Sequence, residues 1–296
     1  MKKNKRFASG NTFSFELETR KNLGQNFLKD ESIIHQIVSR ASRWMQPENK
    51  LCLEIGPGSG ALTRALLNEG WTVIAVEKDS RAVAGLQASL ASEFEGKLYV
   101  IEGDILETNP DKVCSGIGTP SLCIGNIPYY ITSEIMLWFL KYQMHFNSGI
   151  FMIQKEVADR IASEPRCKSY GRLTVRMQLS CHVDQFLFVP ASAFLPPPKV
   201  DSAVIELAPQ AKPLLRESEI NQFEQFTSIL FSARRKMLRK TITSAMHQLF
   251  SHAEQRDDED SMSKKAEQTG ILFTQRPEEL SPRQILDLFR LLKGEH

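Results

Sequence analysis

From residue 51 onward the chain alternates between short apolar runs and longer amphipathic stretches. LCLEI (51–55), TVIAV (72–76), LYVIEGDI (98–105), SLCIGNI (121–127) and GIFMIQ (149–154) have strand length and are rich in Val, Ile and Leu. Between them, ALTRALLNEG, a segment from about Asp79 and ITSEIMLWFLKY repeat apolar positions at three- and four-residue spacing. Buried-type strands alternating with helices predict a mostly parallel sheet covered on both faces. KEVADRIA and LTVRMQL read as further helices. HVDQFLFV and SAVIEL read as two late strands with no full helix pattern between them, which predicts an antiparallel edge. Ahead of the sheet, Asp30 is placed to cap a helix whose Ile33, Ile34, Ile37, Val38, Ala41, Trp44 and Met45 share one face.

The pattern changes after Pro209. The stretch INQFEQFTSILFSARRKMLRKTITSAMHQLF reads as amphipathic helices, RDDEDSMSKK (256–265) as an exposed charged loop, and SPRQILDLFRLL as a capped last helix. The expected organisation is a flexible basic arm over 1–20, an α/β domain over 21–208 and a helical domain over 209–296.

Composition narrows the function little. Apolar residues make up 42% and charged residues 24% of the 296 positions, and the net charge is +2. A near-neutral chain does not announce a nucleic-acid partner through its total charge, so only local clustering can. Five cysteines without a CxxC spacing fit reduced thiols in a cytoplasmic protein, not a metal site. No run approaches the roughly 20 apolar residues of a membrane helix.

Chemistry enters at EIGPGSGALT (54–63), between the first strand and its helix. Gly56, Gly58 and Gly60 permit a sharp turn and close approach of a ligand to the main chain. Glu77 ends the next strand 21 residues after Gly56. Gly56, Gly58 and Ala61 fit G-x-G-x-x-G/A with a downstream acid, so a dinucleotide is a serious rival at this point. Glu54 and Gly60 extend the pattern to E-x-G-x-G-x-G, similar to S-adenosylmethionine-dependent methyltransferases, and Asp104 ends the third strand. One carboxylate can accept from a ribose diol and the other from an adenine amine, which favours an adenosyl ligand.

GNIPYY (125–130) follows the fourth strand and resembles the Asn-x-Pro-Tyr motif of amine-directed nucleic-acid methyltransferases. With KNLGQNFL (21–28), FLPPPKVDSAV (194–204), FSARRKMLRK (231–240) and RPEELS (276–281), it closely resembles the ribosomal RNA adenine dimethyltransferase family. The likeness is nearest to the small-subunit branch associated with kasugamycin sensitivity. The resemblance implies a class I, Rossmann-like fold with a seven-stranded sheet and an all-helical C-terminal domain. It implies S-adenosylmethionine contacts from Asn26, Leu28, Gly56, Glu77, Asp104 and Asn126. It also implies N6,N6-dimethylation of two adjacent adenosines near the 3′ end of 16S rRNA, in immature small subunits, by a cytoplasmic monomer.

On this reading Asn126, a neutral amide, cannot be an ordinary general base. Its oxygen and the Ile127 carbonyl accept from the target amine, Pro128 stiffens the turn and Tyr129 stacks on the adenine. Phe194, from the family's F-x-P-P-P motif, takes the opposite face, and Tyr130 is assigned to packing. No metal is required. Arg234, Arg235, Lys236, Arg239 and Lys240 are expected to meet RNA phosphates from a helix, with Lys199 near the cleft and Lys2, Lys3, Lys5 and Arg6 adding a mobile contact. Three rivals remain: the macrolide-resistance branch acting on large-subunit RNA, a non-catalytic assembly factor, and a dinucleotide oxidoreductase.

Overall fold

The computed structural model describes residues 26–46, 48–249 and 259–294. The basic arm, Lys21–Gln25 of KNLGQNFL and residues 257–258 of the acidic run lie outside them. Within them the strands are β1 Phe27–Leu28, β2 Leu51–Ile55, β3 Thr72–Glu77, β4 Leu98–Glu102, β5 Leu122–Asn126, β6 Ser148–Gln154, β7 Cys181–Val189, β8 Phe194–Leu195 and β9 Ser202–Pro209. The helices are α1 Glu31–Ala41, α2 Ala61–Asn68, α3 Ser80–Leu90, α4 Pro110–Val113, α5 Thr132–Tyr142, α6 Lys155–Ile161, α7 Arg172–Gln178, α8 Ile220–Ser232, α9 Leu238–Leu249, α10 Glu259–Gln268 and α11 Pro282–Lys293.

Seven strands form one sheet in the order β4-β3-β2-β5-β6-β9-β7. β4, β3, β2, β5 and β6 are mutually parallel, and β9 runs antiparallel to β6. β2, β5 and β6 are buried along almost their whole length, as a sheet covered on both faces requires. The order reverses between β2 and β5. A cleft therefore opens beyond the carboxyl ends of these strands, the usual ligand position in such sheets. β1 and β8 form a separate two-stranded pair, Phe27 opposite Leu195 and Leu28 opposite Phe194.

The expected α1 face is the buried one: Ile33, Ile34, Ile37, Val38 and Ala41 enter the core, and the Asp30 carboxylate accepts from the Ser32 and Ile33 amides. Arg40 then bridges Asp184 and Glu206, and the Trp44 indole donates to Glu206. The helix is thus tied to β7 and β9 by charge as well as by packing.

The chain divides into two compact units. The first takes the described residues up to Ala158 and Asp184–Ala208; the second takes Asp159–Val183 together with the described residues from Pro209. Each has its own apolar core. Among its described residues the second unit's regular elements are helices, apart from the first residues of β7 and the last of β9. It includes α7, which the sequence pattern groups with the α/β region because no break in composition sets it apart. Its centre is Phe223, Phe226 and Phe289, with ring centroids 5.3 to 6.4 Å apart. Buried Glu219 accepts two bonds from Arg290, at 2.8 and 2.9 Å, and its pKa is held down at about 2 by that guanidinium.

Two local expectations are corrected. Residues 259–268 are helical, although their apolar content is too low for periodicity to reveal a helix. The stretch forms two helices, as expected, but Arg234, Arg235 and Lys236 do not stand on either: α8 stops at Ser232, Ala233–Lys236 turns, and α9 starts at Leu238. The Lys236 amide donates to the Ala233 carbonyl across that turn.

Candidate active site

The cleft contains about 1210 Å³ of empty space counted out to its open mouth. Its walls come from the turn after β2 and the ends of β3, β4 and β5. The turn is possible because Gly56 and Gly58 adopt left-handed φ angles of 62° and 56°. The Gly56 amide donates to the Val76 carbonyl at 2.9 Å, which holds the turn against β3. No atom lies within 4 Å of where a Gly56 side chain would begin, so the main chain itself lines an open cradle.

Glu77 is only 8% exposed. Its carboxylate accepts from the Gly58 amide at 3.1 Å and the Asp79 amide at 2.8 Å. Burial raises its pKa; the amides of Asp79, Gly58 and Lys78 oppose that rise without cancelling it. Glu54, 1% exposed, also lines the cleft, and its Oε2 has no hydrogen-bond partner. Burial pushes its carboxyl up to about 8, with Thr63 opposing and Glu77 adding to the rise.

Asp104 is built on other terms. It caps the turn Ile105–Glu107 by accepting from the Leu106 amide at 2.9 Å, and Lys78 Nζ donates to it at 2.7 Å. Partial burial alone would raise its pKa, but Lys78 and the Leu106 amide together bring it below the ordinary value. Sequence reasoning overlooked Lys78. Only its place directly after Glu77 pointed to it.

At the end of β5, Gly125 approaches β2 so closely that a Cβ would lie 2.5 Å from the Ile55 carbonyl oxygen. Asn126 Nδ2 donates to the Asn26 carbonyl at 3.0 Å. That bond fixes which end of the amide is which and leaves Oδ1 as the acceptor turned to other partners. The Ile127 amide is spent on the Met152 carbonyl at 2.9 Å. The Tyr129 hydroxyl shares a 2.7 Å hydrogen bond with Ser202 at the start of β9, and burial raises its pKa. Asn26, Leu28, Gly56, Glu77, Asp104, Asn126, Ile127, Pro128 and Tyr129 all line this one cleft.

A family model described as ribosomal RNA adenine dimethylase matches residues 16–276. The chain belongs to the ribosomal RNA adenine dimethylase family. It is accordingly a methyltransferase with S-adenosylmethionine as its methyl donor. A small subunit methyltransferase A of Paramagnetospirillum magneticum is 36% identical over 93% of this chain and 91% of its own. The protein of that name from Dichelobacter nodosus is 41% identical over 77% of this chain and 84% of its own. Among solved structures, a dimethyladenosine transferase from Plasmodium falciparum aligns with a TM-score of 0.75, at 26% identity, over 91% of this chain and 99% of that one. The 23S rRNA methyltransferase ErmE aligns at 0.67, with 27% identity, over 90% and 99%.

The dimethylase cleft suits an adenosyl group. It offers an open glycine cradle, a buried carboxylate at β3, a second carboxylate at β4 and an orphaned buried oxygen on Glu54. Two expected residues stand apart from it. Phe194 is 1% exposed, packed in the core of the first unit, and does not line the cleft. Lys199 is exposed and also outside the lining. Tyr130 is corrected in the other direction: it is 55% exposed at the cleft, not a packing residue. Arg234 is half-buried, whereas Arg235, Lys236, Arg239 and Lys240 are exposed.

Proposed function

We propose that this dimethylase acts on small-subunit rRNA in assembling ribosomes, in the cytoplasm and as a monomer, and forms N6,N6-dimethyladenosine at two adjacent residues near the RNA's 3′ end. The names of the relatives support the substrate. The observation that carries the chemistry is the Asn126 amide, held by Asn26 with its oxygen left over. S-adenosylmethionine, when bound, supplies a methyl group on a positively charged sulfur. With it bound, Glu77 would accept from its ribose diol, and Asp104 from its adenine amine as Lys78 yields. Asn26, Leu28 and the Gly56 turn complete the pocket.

The exocyclic nitrogen of the target adenine is a poor nucleophile because its lone pair is delocalised into the ring. Asn126 Oδ1 and the Ile127 carbonyl accept hydrogen bonds from that amine and draw it toward a tetrahedral geometry. The lone pair then points at the methyl carbon. With the donor bound, replacing its S–C bond by the new N–C bond would put positive charge on nitrogen between these two fixed oxygens, which is electrostatic preorganisation. The surplus N–H proton leaves to water. Pro128 keeps the two acceptors in register, and Tyr129, steadied by Ser202, stacks on the base, worth about 1–3 kcal/mol. The target must be unpaired or extruded to reach this depth. Phe194 takes the opposite face only if β8 shifts; besides Tyr129, Phe27 and Tyr130 are aromatic residues already at the cleft.

Methyl transfer from labelled S-adenosylmethionine to immature small subunits, mature small subunits, large subunits and naked RNA tests this reading. Label in small-subunit adenosines is expected. Label confined to large-subunit RNA would replace it with the resistance-type reaction, and none anywhere, from a protein that binds the donor, with an assembly role.

A further inference from the structure

Three loops of the second unit are stitched into one edge. Arg234 Nη1 donates to the Lys168 carbonyl at 2.8 Å and to the Tyr170 carbonyl at 3.4 Å, and its Nε lies 3.6 Å from the Glu278 carboxylate. The Arg166 amide donates to the Glu278 carbonyl at 2.6 Å, and the Tyr170 hydroxyl to the Leu280 carbonyl at 2.8 Å. The Leu238 amide donates to the Gln275 carbonyl at 2.8 Å, and the Arg239 amide to the Phe273 carbonyl at 3.1 Å. The loop between α6 and α7, the turn between α8 and α9 and the segment before α11 therefore form one surface.

That surface carries Arg166, Lys168, Arg235 and Lys236, all exposed. Among the described residues none of the four side chains is in an ion pair. Arg166 also holds a left-handed φ of 73°, the one described non-glycine residue to do so. An unfavourable backbone conformation of this kind persists only where its surroundings hold it. Here the bond to Glu278 does so, and it keeps Arg166 on the same edge as Lys168.

We infer that the Glu164–Lys168 loop is a second RNA-backbone contact, continuous with Arg235 and Lys236, and that Arg234 is the positioning residue that assembles this surface without itself meeting phosphate. The inference rests on the rRNA reading above. It divides the arginine-rich segment: Arg234 turns inward to carbonyls and Glu278, whereas its two neighbours face solvent. It also adds two cations that are distant in sequence and that no basic run reveals.

Two measurements on the full-length protein test it. The first is binding to small-subunit particles across a salt series, for wild type, for Arg166→Gln with Lys168→Gln, and for the conservative Arg166→Lys with Lys168→Arg. Each phosphate neutralised contributes about 0.7–0.9 to the log–log salt slope. The glutamine pair is expected to lower the slope by about 1.4–1.8 and weaken binding about tenfold, with S-adenosylmethionine affinity unchanged. The conservative pair is expected to keep the wild-type slope. The second uses Cys167, which lies between the two cations and is exposed while the other four cysteines are buried. A photoreactive maleimide on Cys167 is expected to crosslink to small-subunit rRNA. An unchanged slope in the glutamine pair overturns the inference, as does absence of a crosslink while the particle is bound. Failure of wild type itself to bind small subunits, with donor binding intact, overturns the rRNA reading and this surface with it.

Discussion

The end of β5 and the stitched edge of the second unit are both assigned to RNA, and they are built on opposite terms. At Asn126 the amide nitrogen has one partner, the next amide is spent on Met152, and Gly125 leaves no room for displacement. At Arg235 and Lys236 the cations end long exposed side chains. Bond making needs atoms fixed to a fraction of an ångström. Phosphate attraction needs charge near the right place and tolerates motion. Substitutions at the first region should therefore act on rate and those at the second on affinity.

Asn126→Ala offers the strongest way to break the comparison. It should slow methyl transfer by about 10²–10³, roughly 3–4 kcal/mol in the barrier, because a preorganised acceptor is lost. Binding to small subunits should hardly change. Single-turnover rates within tenfold of wild type, in a folded variant, would remove Asn126 from the chemistry.

Gly125→Ala comes next. Its Cβ would meet backbone, not a yielding side chain, so β5 and β2 must separate. A loss of about 1–3 kcal/mol in stability is expected from such overpacking, together with slower methyl transfer. Thermal unfolding at the wild-type temperature would show that the two strands have slack.

Glu77→Gln sharpens the contrast from the donor side. Loss of a charge-assisted bond to the ribose should weaken S-adenosylmethionine binding by about 1–3 kcal/mol, read by calorimetry. Since burial raises the Glu77 pKa, wild-type affinity should fall as pH drops through that raised value, where the carboxylate gains its proton and ceases to be a charged acceptor. The glutamine variant should lack that portion of the pH dependence.

The smallest effect should come from Arg235→Glu with Lys236→Glu: a higher KM for small subunits, a shallower salt slope and an unchanged donor affinity. Arg234 is best left intact in this variant, since its loss would loosen three loops at once. If kcat falls and KM stays, the division between rate and affinity is wrong.

Much of the first region was legible because it obeys strong local rules. Continuous apolar runs disclosed the parallel strands, and glycine spacing plus acids at strand ends disclosed the donor pocket. The partners were not legible. The bond from Asn126 to Asn26 spans 100 residues and the bond from Tyr129 to Ser202 spans 73; each residue lies in a quoted motif, but no motif says which residue of another it meets. In the second region even the elements were partly hidden. Ser232–Met237 lacks a glycine or proline to announce the break between α8 and α9. α7 looks like any other helix of an α/β alternation. Phe194 misleads for a different reason, since its motif is intact while its ring sits in the core.

The bond that orients Asn126 ends on a main-chain carbonyl, and this bears on how the enzyme tolerates sequence drift. Any residue at position 26 brings the same acceptor, so this clamp is indifferent to point substitution there. It is vulnerable instead to a change in chain length. One residue inserted or deleted between 26 and 28 would shift the β1–β8 register of Phe27 with Leu195 and Leu28 with Phe194, carrying the carbonyl away from the amide. The clamp itself therefore constrains the number of residues across this point and not their identity, which the donor contact proposed for Asn26 constrains separately.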